Sequence, residues 1–170
     1  MAIVKANYTK SSKGAKASVR YIEHRPGKDG QKTYRTLFGI DGELEREEAY
    51  IMIDNAQKET KFFRFVISPD PQLEDRGKDL NLWEITTKTM LGLEERLKQT
   101  IQFVAAVHND HAPNRHVHVI ALINGKLTPK DFALLRETAT QSSLFQRRER
   151  DGAAGIKREQ EARQELELSL

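Results

Sequence analysis

The chain has 170 residues, 38% of them hydrophobic, no cysteine and a formal net charge of +3. That length holds a single core, and without cysteine there are neither disulfides nor thiolate metal sites. No apolar run approaches the roughly 18 residues a transmembrane helix needs. The opening Met1-Ala2-Ile3-Val4-Lys5 has none of the character of a secretory signal, and both features are compatible with a reducing cytoplasm. Charge is spread unevenly. Residues 1–40 carry nine Lys or Arg against Glu23 and Asp29, whereas the remaining 130 carry 19 basic and 23 acidic side chains. A basic first quarter on a near-neutral body fits either a local anionic partner, nucleic acid foremost, or a solvated lysine-rich helix.

Taken in order, Ala2 to Asn7 is expected to form a short strand. A Ser- and Gly-containing loop follows, then a helix from about Lys13 to His24. Ala15, Val19 and Ile22 recur at i, i+4 and i+7 and make its buried stripe, and Pro26-Gly27 stops it. Tyr21 lies about 100° around the helix from Ile22, at the border of core and solvent. Lys13, Lys16, Arg20 and Arg25 are candidate contacts to backbone phosphates. Thr33 to Gly39 reads as a strand or arm, Asp41-Gly42 as a turn, and Leu44 to Gln57 as a helix with an acidic first turn that suits its dipole.

Thr60 to Ser68 is apolar on both faces apart from Arg64, which predicts a strand inside a sheet. After a polar loop over Asp70 to Lys78, Trp83, Thr86, Met90, Leu93 and Leu97 mark a long helix whose stripe is core. Ile101 to Val107 forms a β-rich apolar run ending at His108. Asn109 to Arg115 connects it to a second strand, His116 to Ile123. Asn124-Gly125 turns the chain, and Thr128 as N-cap with Pro129 at N1 and Asp131 at N3 opens a last helix. Residues 1–147 are thus expected to form the domain, and residues 148–170 a charged helical extension or tail. The element order implies an α+β protein with an antiparallel-dominated central sheet flanked by helices.

The histidines carry the chemistry. Side chains alternate along a strand, so His116 and His118 project from one face with backbones about 6.6 Å apart. His108, ending the neighbouring strand, can close a three-nitrogen site with positions open for substrate and water. Imidazole donors suit zinc, iron, nickel or copper on affinity alone.

His108, then His116-Val117-His118 and an apolar strand resembles the third motif of relaxases, the HUH-type nicking enzymes of plasmid mobilisation and conjugation. Tyr21-Ile22, followed by a basic residue and a glycine, resembles their first motif, and Phe65-Val66-Ile67-Ser68-Pro69 their second. The resemblance covers roughly residues 1–145 and implies a palm-like fold carrying the histidines at its centre. It implies a divalent metal, magnesium or manganese, on His108, His116 and His118, with zinc, nickel or cobalt favoured in vitro by the imidazoles. It makes Tyr21 the nucleophile, gives Ser68 a contact to DNA near the nick, and puts an acidic residue at Asp110. As alternatives, Tyr21 is a rim aromatic over the core, Ser68 caps a turn, and Asp110 forms an Asx-turn rather than orienting a ligand imidazole.

The implied reaction is site-specific nicking and rejoining of single-stranded DNA through a 5′-phosphotyrosine. The implied partners are single-stranded DNA at an origin of transfer and accessory mobilisation proteins. Free tyrosine has a pKa near ~10, so its phenol needs activation or offset charge at neutral pH. Rolling-circle initiators and single-strand transposases share the chemistry, but carry their tyrosine after the histidine motif. Here Tyr8, Tyr21, Tyr34 and Tyr50 all precede it. A catalytically silent DNA-binding module and a small metal-dependent hydrolase complete the alternatives.

Overall fold

The computed structural model describes residues 1–109 and 113–169. Its elements are β1 (Ile3–Thr9), α1 (Ser12–His24), β2 (Leu37–Gly39), β3 (Gly42–Leu44), α2 (Arg46–Asp54), β4 (Thr60–Ser68), α3 (Leu82–Leu97), β5 (Phe103–His108), β6 (His116–Asn124) and α4 (Pro129–Leu168). The strands form one six-stranded sheet in the order β1-β4-β6-β5-β2-β3, with antiparallel pairing at every junction. The architecture is α+β, as the element order implied.

Alternation along the inner strands produces two cores, one on each face, where the chain length had implied a single one. Phe63, Phe65 and Ile67 of β4 and Val117, Val119, Ala121 and Ile123 of β6 pack with Leu82, Ile85, Met90 and Leu93 of α3 and Leu135 and Ala139 of α4. On the other face, Phe62, Val104, Ala106, Ile120 and Leu122 pack with Ala15, Val19 and Ile22 of α1 and Ala49 and Ile53 of α2. Strands buried on both faces must be apolar at nearly every position, which is why β4, β5 and β6 read as continuous hydrophobic runs.

Local signals set the helix ends. The Ser11 hydroxyl accepts from Gly14 N at the start of α1, and Asn81 does the same for Glu84 N at the start of α3. Thr128 and Asp131 form a reciprocal capping box with Pro129 beside it, which satisfies amide groups that would otherwise lack intrahelical partners. The turn before α4 uses Gly125 at φ +99°, a left-handed conformation costly for any residue with a Cβ.

Several boundaries differ from the sequence reading. β2 covers only Leu37–Gly39 of the stretch expected from Thr33, and β5 begins at Phe103 rather than Ile101. Tyr8 lies inside β1 rather than in a loop, because β1 pairs with β4 as far as Thr9. Leu44 ends a three-residue strand, β3, paired with β2, and is not the first residue of a helix; so short a strand has no periodicity to detect. α2 then stops at Asp54 instead of Gln57. α4 runs unbroken for 40 residues, and no described residue from 148 onward is buried. Among the described residues no helix is long and apolar enough to cross a membrane.

Candidate metal centre and cleft

β5 and β6 occupy the middle of the sheet. Their register sets His108 directly opposite His116 and Ala106 opposite His118. With Val117 directed into the α3/α4 core, His116 and His118 project toward the α1/α2 side, where His108 joins them across the strand pair. The ring centroids are 4.4 Å apart for His108–His118, 5.0 Å for His116–His118 and 5.4 Å for His108–His116. One nitrogen from each ring lies within 4.8 Å of the other two, so the three histidines could hold a metal ion.

Main-chain carbonyls orient two of the rings. His108 Nε2 lies 2.9 Å from the Ile22 carbonyl, and His116 Nδ1 lies 3.2 Å from the Asn114 carbonyl. A carbonyl only accepts, so in each neutral ring the bonded nitrogen carries the proton. The lone pair then falls on His108 Nδ1 and His116 Nε2, the second-sphere arrangement found around metal-ligating histidines. Burial, with His118 and Arg35 nearby, pushes the His108 imidazole down to about 3 against the pull of the Ile22 carbonyl. His108 is therefore neutral, the form that binds metal. Three convergent imidazoles, two of them with tautomers fixed in this way, fit a divalent transition ion.

Beside His118, a cleft of about 570 Å³ opens between α1 and the sheet. Ala17, Tyr21 and Ile22 form its helix wall, and Asn7, Arg64 and His118 lie on its strand side. Tyr21 is half exposed, with the Arg25 guanidinium 5.5 Å from its ring centroid. The other tyrosines lie elsewhere. Tyr8 packs its ring 5.2 Å from that of Phe63, on the sheet face away from the histidines. Tyr50 lies under Lys16, and Tyr34 lies tilted against His24 with ring centroids 5.4 Å apart.

The basic residues divide. Lys13 and Arg20 are exposed and Arg25 is half-buried, whereas the Lys16 ammonium turns to Asp54 at 2.6 Å. Ser68 ends β4 and donates its hydroxyl to the Arg115 carbonyl at 3.4 Å, bracing the residue that leads into His116. Asp110 lies outside the described residues.

Three features were not anticipated from the sequence. Arg115 forms a forked pair with Asp75 at 2.8 and 2.9 Å and also donates to the Leu80 carbonyl. Arg64 donates to Asn7 from inside the cleft. Glu23 is buried on α1, with its carboxylate 3.6 Å from both Arg46 and His24. Each joins residues distant in sequence or hides a charge on a helix, and neither leaves a local pattern.

Compared with protein-family models and with curated proteins, the chain matches none.

Proposed function

We propose that this protein is an HUH-type single-strand DNA endonuclease of the relaxase class, with a palm-like fold, that nicks and rejoins DNA through Tyr21. The observation that carries the reading is that Tyr21 and His118 line one cleft, with His108 and His116 gathered behind His118. The other three tyrosines do not line this cleft.

In this reading the Tyr21 phenol oxygen attacks the phosphorus of one phosphodiester in single-stranded DNA. The new O–P bond replaces the bond to the 3′ oxygen. That oxygen leaves as a hydroxyl, carrying the equivalent of the phenol's proton, and the 5′ side stays on the tyrosine. Because the product keeps a phosphodiester, the 3′-hydroxyl can reverse the step and reseal the strand without ATP. His108, His116 and His118 would hold a divalent ion, magnesium or manganese in use, which would supply Lewis acidity to the phosphoryl oxygens worth several kcal/mol. α1 holds the phenol in place: Val19 and Ile22 anchor the helix in the core, and a displacement of about 1 Å costs on the order of 100-fold in rate. Lys13, Arg20 and Arg25 contribute phosphate contacts along the helix. The physiological substrate would be an origin of transfer in mobile DNA, with accessory mobilisation proteins as partners.

The test is incubation with a labelled single-stranded oligonucleotide library and manganese, followed by a denaturing gel. Covalent protein–DNA adducts support the reading. Clean hydrolysis without adducts, or no cleavage at all, refutes it.

A further inference from the structure

Arg64 occupies an unusual position. It lies in the middle of β4, paired with Asn7 of β1 on one side and Ile120 of β6 on the other, yet its side chain is exposed to the cleft rather than to the outer surface. An arginine inside a sheet normally finds a carboxylate. Among the described residues Arg64 has none at ion-pair distance; its Nε donates to the Asn7 amide oxygen at 2.8 Å. That bond orients the guanidinium plane and leaves its outer N–H groups, together with the Asn7 amide N–H groups, as donors. A rigid fork of donors with full positive charge matches the oxygens of a phosphate.

The surroundings narrow the ligand. Ala17, Ile22, Val66 and Ile120 make the rest of the cleft largely apolar, a surface suited to a sugar and base rather than to a free inorganic anion. Val66 pairs with His118, and Arg64 is two residues further along the same face of β4. Its backbone is therefore about 6.6–6.8 Å from the position opposite the histidine. Arg64 is thus displaced along β4 from the three imidazoles, by about the distance between two positions on one strand face.

We infer that Arg64, held by Asn7, is a phosphate-binding residue for single-stranded DNA, gripping the backbone of a nucleotide adjacent to the one at the histidines. The inference rests on the proposed function, in that it takes this cleft as the DNA channel. It concerns binding alone, and Arg64 does not touch the reacting atoms.

Fluorescence anisotropy with a short thymidine oligonucleotide tests it across a salt series, without metal so that cleavage does not intervene. Arg64→Gln should bind about tenfold more weakly or worse, and the slope of log affinity against log salt should flatten by about 0.7, one phosphate for a single strand. Arg64→Lys should recover the salt slope but not the full affinity, since it keeps charge and loses the fork. Asn7→Ala should weaken binding while leaving the slope unchanged. With an oligonucleotide of uncharged methylphosphonate linkages, wild type and Arg64→Gln should bind equally. If wild type binds but Arg64→Gln matches its affinity and slope, the inference is overturned while the proposed function stands. If wild type does not bind the strand at any salt, the proposed function fails and takes the inference with it. Arg64 is exposed, so unchanged thermal unfolding of the variants is the expected control.

Discussion

His108 donates from Nε2 to the main-chain carbonyl of Ile22 at 2.9 Å, joining the histidine strands to the helix that carries Tyr21. The bond spans 86 residues of sequence and is buried. It fixes the His108 ring for ligation and, through the same contact, sets the height of α1 above the sheet. The candidate nucleophile and the candidate metal centre are thus one mechanical unit.

That linkage separates two histidine variants. His108→Phe should abolish metal affinity and also cost about 1–3 kcal/mol of stability, because the buried Ile22 carbonyl loses its donor. His116→Ala should weaken zinc or manganese binding at least tenfold with a smaller loss of stability, since His116 is only half-buried. Calorimetric metal titration and urea unfolding of both variants check this. Unchanged metal affinity in His116→Ala would contradict the three-histidine site.

A second prediction concerns the approach to His116. The Arg115–Asp75 pair ties the start of β6 to the loop before α3, and the Asp75 side chain is almost fully enclosed. Breaking a buried pair by removing one charge strands the other and costs about 3 kcal/mol or more. Asp75→Asn should therefore lower the urea midpoint and weaken zinc binding together, as His116 follows Arg115 directly. Loss of stability with intact zinc affinity would confine the pair to a structural role.

The histidine pattern was legible because a β-strand converts an i, i+2 spacing into a shared face, and because His108 ends an apolar run shortly before the strand that carries His116 and His118. The stripe Ala15, Val19, Ile22 was legible for the same reason at helical period, and all three are buried. Arg64 stood out as the break in an apolar strand, but its meaning depends on β1 lying beside β4, a pairing across more than 50 residues that no local pattern carries. Asp75 and Arg115, 40 residues apart, were hidden for that reason too. The 40-residue span of α4 was also not apparent: its charged second half has good helix formers but no apolar stripe to mark its register.

Acid should weaken the start of α4, on the far side of the sheet from the histidines. Thr128 amide and hydroxyl groups and Arg96 hold the Asp131 carboxyl below the usual aspartate range. A depressed folded pKa means the unfolded chain binds the proton more readily. This contribution is complete above the unfolded value near ~3.9 and is lost as pH falls through the lower folded value. Asp131→Asn should destabilise the protein at pH 7 and flatten its stability loss from about pH 5 downward. Parallel stability curves for the two proteins across that range would contradict the assignment.

The most direct measurement is mapping of the covalent adduct. Wild type, Tyr21→Phe and Tyr8→Phe are incubated with single-stranded DNA and manganese, and trapped products are digested and sequenced by mass spectrometry. Tyr8 faces the other side of the sheet beside Phe63, so Tyr8→Phe should keep most of the activity. Tyr21→Phe should form no adduct while retaining metal and DNA binding, and the wild-type nucleotide should be found on the Tyr21 peptide. A nucleotide on the Tyr8, Tyr34 or Tyr50 peptide, or adduct formation by Tyr21→Phe, would contradict the account.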